Sequence, residues 1–203
     1  MSSTVAWLIV GLGLGVVVVR RRSVAVGLVT AQALVLAGYA LADQSSGGST
    51  AAAAVLLLRA AVLAGALFLV ISRTRESAPV RAGLSPLTRA AIAVVAGLLL
   101  TWVVPDVGLG SREAERAVLA LVGFGLVVVA TRRATLFHVL GIITVDNAVA
   151  LAGLSQRAGS PLLVDVGVAL DLLLVAGVAT VFHERIFAEF GAGDARALRS
   201  LRD

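Results

Sequence analysis

The sequence predicts an all-α, polytopic membrane bundle of seven transmembrane helices, and three of its features carry that prediction. Of 203 residues, 59% are hydrophobic and 14% charged, where a soluble domain has about 45–50% and about 25%. The mean hydropathy of +1.01 exceeds what a single core surrounded by water can use at this size. The apolar residues gather into seven stretches near the ~20 residues that cross a bilayer. Between them the arginines are distributed unevenly.

In chain order the spans are Thr4–Val19, Ser23–Ala42, Ala51–Ser72, Pro86–Val104, Glu115–Ala130, Ala134–Leu154 and Leu162–Phe182. The connections are short and polar, as in Asp43–Thr50 (DQSSGGST) and Ser155–Ser160 (SQRAGS). None is long enough to hold a soluble domain. The whole chain, 1–203, therefore reads as one membrane domain: a four-helix part over 1–114, a three-helix part over 115–182 and a tail over 183–203.

Orientation follows from the positive-inside bias. Alternate connections hold Arg20, Arg21 and Arg22; then Arg73, Arg75 and Arg81, with Arg89 just inside the next helix; then Arg132 and Arg133; and finally Arg185, Arg196, Arg199 and Arg202. The opposite side holds only Arg112, Arg116 and Arg157. The N-terminus is expected outside and the C-terminus in the cytoplasm, in the cell's inner membrane. The charges of the first segment follow its apolar run instead of preceding it, so a cleaved signal peptide is not expected.

Several chemistries are excluded by composition. There is no Cys, hence no disulfide, thiolate metal site or iron–sulfur ligation. All 17 basic residues are Arg, which removes a Schiff-base lysine. No cofactor or metal site is expected. The pI near 11.3 would suit nucleic acid, but aromatics are 4% and the arginines lie scattered between apolar runs. Gly11, Gly13 and Gly15 lack the dinucleotide-loop spacing and read as small residues easing helix packing. Asp106, Glu113 and Glu115 read as a solvated outer loop. His138 and His183 read as boundary residues.

Ionisable groups inside spans cost about 2.5–3.5 kcal/mol each on insertion scales and are functional candidates by default. Four qualify: Arg59, Asp146, Asp165 and Asp171. Asp146 follows Ala134 by 12 residues and Asp171 precedes His183 by 12, which puts both ~18 Å from the cytoplasmic surface at 1.5 Å per residue. Arg59 precedes Arg73 by 14 residues, or ~21 Å. These three converge on one midplane layer, with Asp165 closer to the outside. Asn147 and Gln32 supply buried amides, and His138 a further polar group. A layer whose protonation depends on which partner is near suits a proton relay. A fixed ion pair holding helices together would use the same residues.

The sixth span reads Leu140-Gly-Ile-Ile-Thr-Val-Asp146-Asn147, and the seventh contains Val164-Asp165-Val-Gly167 with Asp171 six residues after Asp165. Glu184-Arg185-Ile186 follows. Over Arg132–Asp203 this resembles the E-component family of membrane proteins in hydrogenase-4 and formate-hydrogenlyase-type complexes. The last three spans are similar to the K subunit of respiratory complex I and the C subunit of multisubunit cation/proton antiporters. Earlier the resemblance rests on Ala31-Gln32-Ala33-Leu34 and on Arg59; between Thr74 and Ala130 only hydropathy agrees. It implies a subunit without redox centres, beside antiporter-like and redox subunits, contributing midplane carboxylates to proton or Na+ translocation. Asp stands at 146 and 165 where the family usually has Glu, and Arg59 where Lys is usual. Arg effectively never gives up its proton, so Arg59 can bias a carboxylate but not relay. The alternatives are a passive scaffold in such a complex and an autonomous solute transporter. The latter predicts inverted repeats, which the sequence does not display.

Overall fold

In the computed structural model, residues 3–42, 49–74, 84–104, 108–109, 111–132 and 134–155 are described. They form six α-helices: α1 (Ser3–Val18), α2 (Arg22–Ala42), α3 (Ser49–Thr74), α4 (Pro86–Val103), α5 (Arg112–Thr131) and α6 (Thr135–Ser155). Among the described residues there is no β-strand. Four helices, α2, α4, α5 and α6, are long and apolar enough to cross a membrane, and α1 is a shorter apolar helix. The expected seventh span, Leu162–Phe182, lies outside the described residues, as do Asp165, Asp171, His183 and the tail.

Most helix ends fall within a few residues of the expected spans. α5 departs most, opening at Arg112 instead of Glu115. Ser111 caps it, its side chain accepting from the Ala114 amide, and Glu113 and Glu115 sit in the first turn, where the helix dipole favours acids. Glu113 and Glu115 therefore belong to a helix, not to a solvated loop, and Glu115 is buried. α4 opens in the same way: the Ser85 side chain accepts from the Thr88 amide, and Pro86 occupies the first turn, where its missing N–H costs nothing.

α5 is the central element, packed against α6, α4 and α1; α2 packs against α1, α3 and α6. The α5–α6 crossing depends on glycine. A Cβ on Gly125 would lie 2.6 Å from the Gly141 carbonyl oxygen, and one on Gly141 would lie 2.8 Å from the Gly125 carbonyl oxygen. Small residues let backbones approach this closely, which is how helices gain packing energy where lipid is the solvent. Gly13, in the glycine run of α1, likewise faces Leu121, Phe124 and Gln32, whereas Gly11 meets nothing.

α4 turns only Arg89, Ala93 and Gly97 inward, a stripe at four-residue spacing on one helix face. Its remaining surface is apolar and bare, with Leu87 81% and Trp102 85% exposed, as suits a lipid-facing helix.

Candidate functional site

Lipid offers no hydrogen bonds, so every polar group within a span must find its partner inside the protein. The hydroxyls do so locally. Thr30, Thr101, Thr131 and Thr144 each donate to the carbonyl four residues earlier, at 2.6–2.9 Å, the usual refuge of a buried helix hydroxyl. Gln32, Arg59, Asp146 and Asn147 do not close on their own helices.

The structure joins these four into one chain across the bundle. Arg59 of α3 forms an ion pair with Asp146 of α6 through Nη2 and Oδ2. The same Nη2 donates to Asn147 Oδ1 at 3.1 Å. Asn147 Nδ2 donates to Gln32 Oε1 of α2 at 3.3 Å. Gln32 Nε2 donates to the Ile9 carbonyl of α1 at 3.0 Å. Because a guanidinium only donates and a carbonyl only accepts, the two ends fix which way both amides point. Turning either amide over would set donor against donor.

Local sequence explains how each member gets there. Asp146 and Asn147 are adjacent, so they diverge by about 100° around α6; Asn147 is buried while Asp146 keeps its side chain 12% exposed. α3 packs along α2 and reaches α6 through the long Arg59 side chain. Gln32 has room because Gly13 carries no side chain: a Cβ there would come within 3.0 Å of Gln32 Nε2.

The arrangement has one titratable link. Asparagine and glutamine amides do not exchange charge near neutral pH, and Arg59 keeps its proton. Asp146 is the group at which a proton can be taken up or lost. The amides orient Arg59, and Arg59 holds Asp146. His138, a further expected polar group, is not part of this chain. It lies in the first turn of α6, where Nδ1 donates to the Ala134 carbonyl at 3.2 Å. No cluster of three or more metal-ligating side chains occurs among the described residues.

A second polar locus, at the other end of α6, escaped sequence reasoning. Arg89 and Arg132 read as topological charges of the connections, yet both are buried, Arg89 completely. Arg132, just after α5, donates from Nη2 to the carbonyls of Val17, at 3.1 Å, and Val19, the terminal acceptors of α1 that lack helical partners. Its guanidinium also lies 4.1 Å above the Phe137 ring, within cation–π reach. Burial first, then the charges of Arg89 and Arg20, bring the Arg132 guanidinium down to about 10. The signal for Arg89 was present in the sequence: Ala93 and Gly97 continue its face at four-residue spacing, and small residues mark close helix contact.

No family model and no solved structure matches the chain. Over 122 residues it is 34% identical to uncharacterized protein Rv0085 of Mycobacterium tuberculosis, covering 57% of this chain and 56% of that protein. The chain thus spans a little over half the length of the curated relative it matches.

Proposed function

We propose that the protein is a membrane subunit of a respiratory assembly of the hydrogenase-4 or complex-I kind, contributing Asp146 to proton or Na+ translocation. In this reading it has seven spans in the inner membrane, with the N-terminus outside and the C-terminus in the cytoplasm. Antiporter-like and redox subunits flank it. The observation that carries the proposal is the buried chain from Asp146 and Arg59 through Asn147 and Gln32 to the Ile9 carbonyl. All four of its side chains are among those on which the resemblance to the hydrogenase-4 family rests.

Charge balance states what such a chain does. Asp146 neutralises Arg59; protonating it in place would leave a guanidinium uncompensated in a medium of low polarity, a cost of several kcal/mol. Uptake of a proton at Asp146 therefore requires Arg59 to meet another carboxylate. The resemblance supplies the candidates, Asp165 and Asp171 of the seventh span. Transport then proceeds by exchange of Arg59 between carboxylates, with the proton moving to the one it leaves.

A scaffold reading is favoured by a different aspect of the same chain: its members are closed on one another, as a helix-to-helix tie would be. The two readings separate on Asp171→Asn and Asp146→Asn in the assembled complex, with redox turnover and ion transport measured together. Translocation predicts that Asp171→Asn assembles but pumps less. If both variants assemble and pump like the parent, the carboxylates are structural and the translocation reading falls. A reporter fused after Asp203 should be active only on the cytoplasmic side; activity only outside would overturn the orientation.

A further inference from the structure

Arg89 lies in the first turn of α4, on the stripe that faces the bundle. It is 0% exposed, and none of its three guanidinium nitrogens has a hydrogen-bond partner among the described residues. A buried arginine ordinarily extends its head to water or meets a carboxylate. Arg89 does neither. Arg132 is 2% exposed; its Nη2 is taken by the α1 carbonyls, while Nε and Nη1 have no partner among the described residues. Gly97 of α4 packs on Ala120 and Gly123 of α5, and Thr101 and Val104 at the end of α4 line one pocket with Arg112 and Glu115 at the start of α5. The two helices run in opposite directions, which places Arg89, at the head of α4, beside Arg132, at the end of α5. Two buried like charges with open donors are half of an ion site, and the missing half is an anion.

We infer that Arg89 and Arg132 form a binding site for a phosphate oxyanion, supplied either by the headgroup of an anionic phospholipid or by free phosphate. A planar guanidinium fork matches phosphate oxygens in pairs: Arg89 offers its whole fork, and Arg132, whose Nη2 is taken, adds single donors from Nε and Nη1. The positive end of the α4 dipole adds attraction for the same charge. Leu87, two residues before Arg89 and so on the opposite face of α4, is 81% exposed; an acyl chain lying on that outward face would send its headgroup round the head of the helix to reach Arg89. The Arg59–Asp146 chain contributes no residue to this site, and the inference stands apart from the transport reading.

The test uses the full chain, purified in a neutral detergent and stripped of lipid. Thermal unfolding is followed while phosphatidylglycerol, phosphatidylethanolamine or inorganic phosphate is added, and native mass spectrometry counts bound lipid. A saturable rise in Tm with phosphatidylglycerol, with one lipid retained, identifies a lipid source; the same rise with inorganic phosphate identifies the free ion. Either supports the site. Arg89→Gln should weaken the effective anion about tenfold or more, and Arg89→Lys, which keeps the charge without the fork, should weaken it less. Arg112→Gln, at the exposed start of α5, should change nothing. The inference is overturned if neither anion raises Tm of the parent, if phosphatidylethanolamine acts as strongly as phosphatidylglycerol, or if Arg89→Gln binds like the parent. Should Arg89→Gln not fold, an unchanged affinity in Arg89→Lys overturns it instead.

Discussion

Arg59, in the middle of α3, meets a carboxylate and an amide oxygen from α6, while Arg89, at the head of α4, meets no acceptor among the described residues. Both are buried, and both reside in apolar helices of similar composition. What differs is whether the fold itself brings the counter-charge. At the first locus α2, α3 and α6 each contribute a polar side chain at one level, and the group closes. At the second, the α1 carbonyls use part of Arg132 and leave the rest of the pair open. A closed buried charge reads as internal machinery or a tie; an open one reads as a place for something external.

That contrast is most readily broken at Asp146. Asp146→Leu or Arg59→Met alone should cost about 3–5 kcal/mol, because each leaves one buried charge without its counter-charge. Replacing both, as in Arg59→Met with Asp146→Leu, should recover most of the loss, since apolar substitution of a buried pair is often neutral or stabilising. Denaturant titration in micelles measures this. Additive losses in the double variant would mean that the pair is not coupled.

At Arg89 the same kind of substitution should act with the opposite sign. In lipid-stripped, phosphate-free protein, Arg89→Met should gain about 1–3 kcal/mol, the cost of buried donors without acceptors. Added anion should stabilise the parent and not the variant. A loss of stability in the stripped protein would show that Arg89 already has its partner, and the contrast between the two loci would disappear.

The smallest effect sharpens the first locus. Gly13→Ala places a Cβ 2.7 Å from Leu121 Cδ2 and 3.0 Å from Gln32 Nε2, so both side chains must give way and the Gln32 amide should be pushed off the Ile9 carbonyl. Gly11→Ala enters open space and carries only the gain in helix propensity. Relative to Gly11→Ala, Gly13→Ala should therefore be less stable by at least about 1 kcal/mol, the worth of one hydrogen bond with the displacement of Leu121 added to it. Equal stability of the two would mean that the far end of the polar chain contributes nothing.

Part of this was legible by counting along the chain. The depth of Arg59 and of Asp146 follows from the helical rise and the nearest connection, and the structure brings the two into contact. Depth, however, is one coordinate. The azimuth of each residue and the order of helices around the bundle decide whether groups at one depth meet, and hydropathy is silent on both. Gln32 and Asn147 were therefore visible as buried amides, but not as the link between α1 and Arg59. Arg89 illustrates the opposite loss: proximity to a connection made it a topological charge, although the Ala93–Gly97 stripe turned it inward. Glu115 was misassigned for a local reason, since the Ser111 cap and the dipole carry helix α5 back through its acidic start.

The sequence by itself determined the helical class, because backbone polar groups in lipid must be satisfied within each segment and an apolar run of this length has no other way to do so. It also determined, through glycines and alanines at four-residue spacing, which faces can approach closely. Only the tertiary structure decided which charges are paired. Pairing requires two side chains to share a direction as well as a depth, and that direction is set by how helices far apart in sequence pack: α3 reaching α6 at Arg59, and the end of α5 meeting the end of α1 at Arg132.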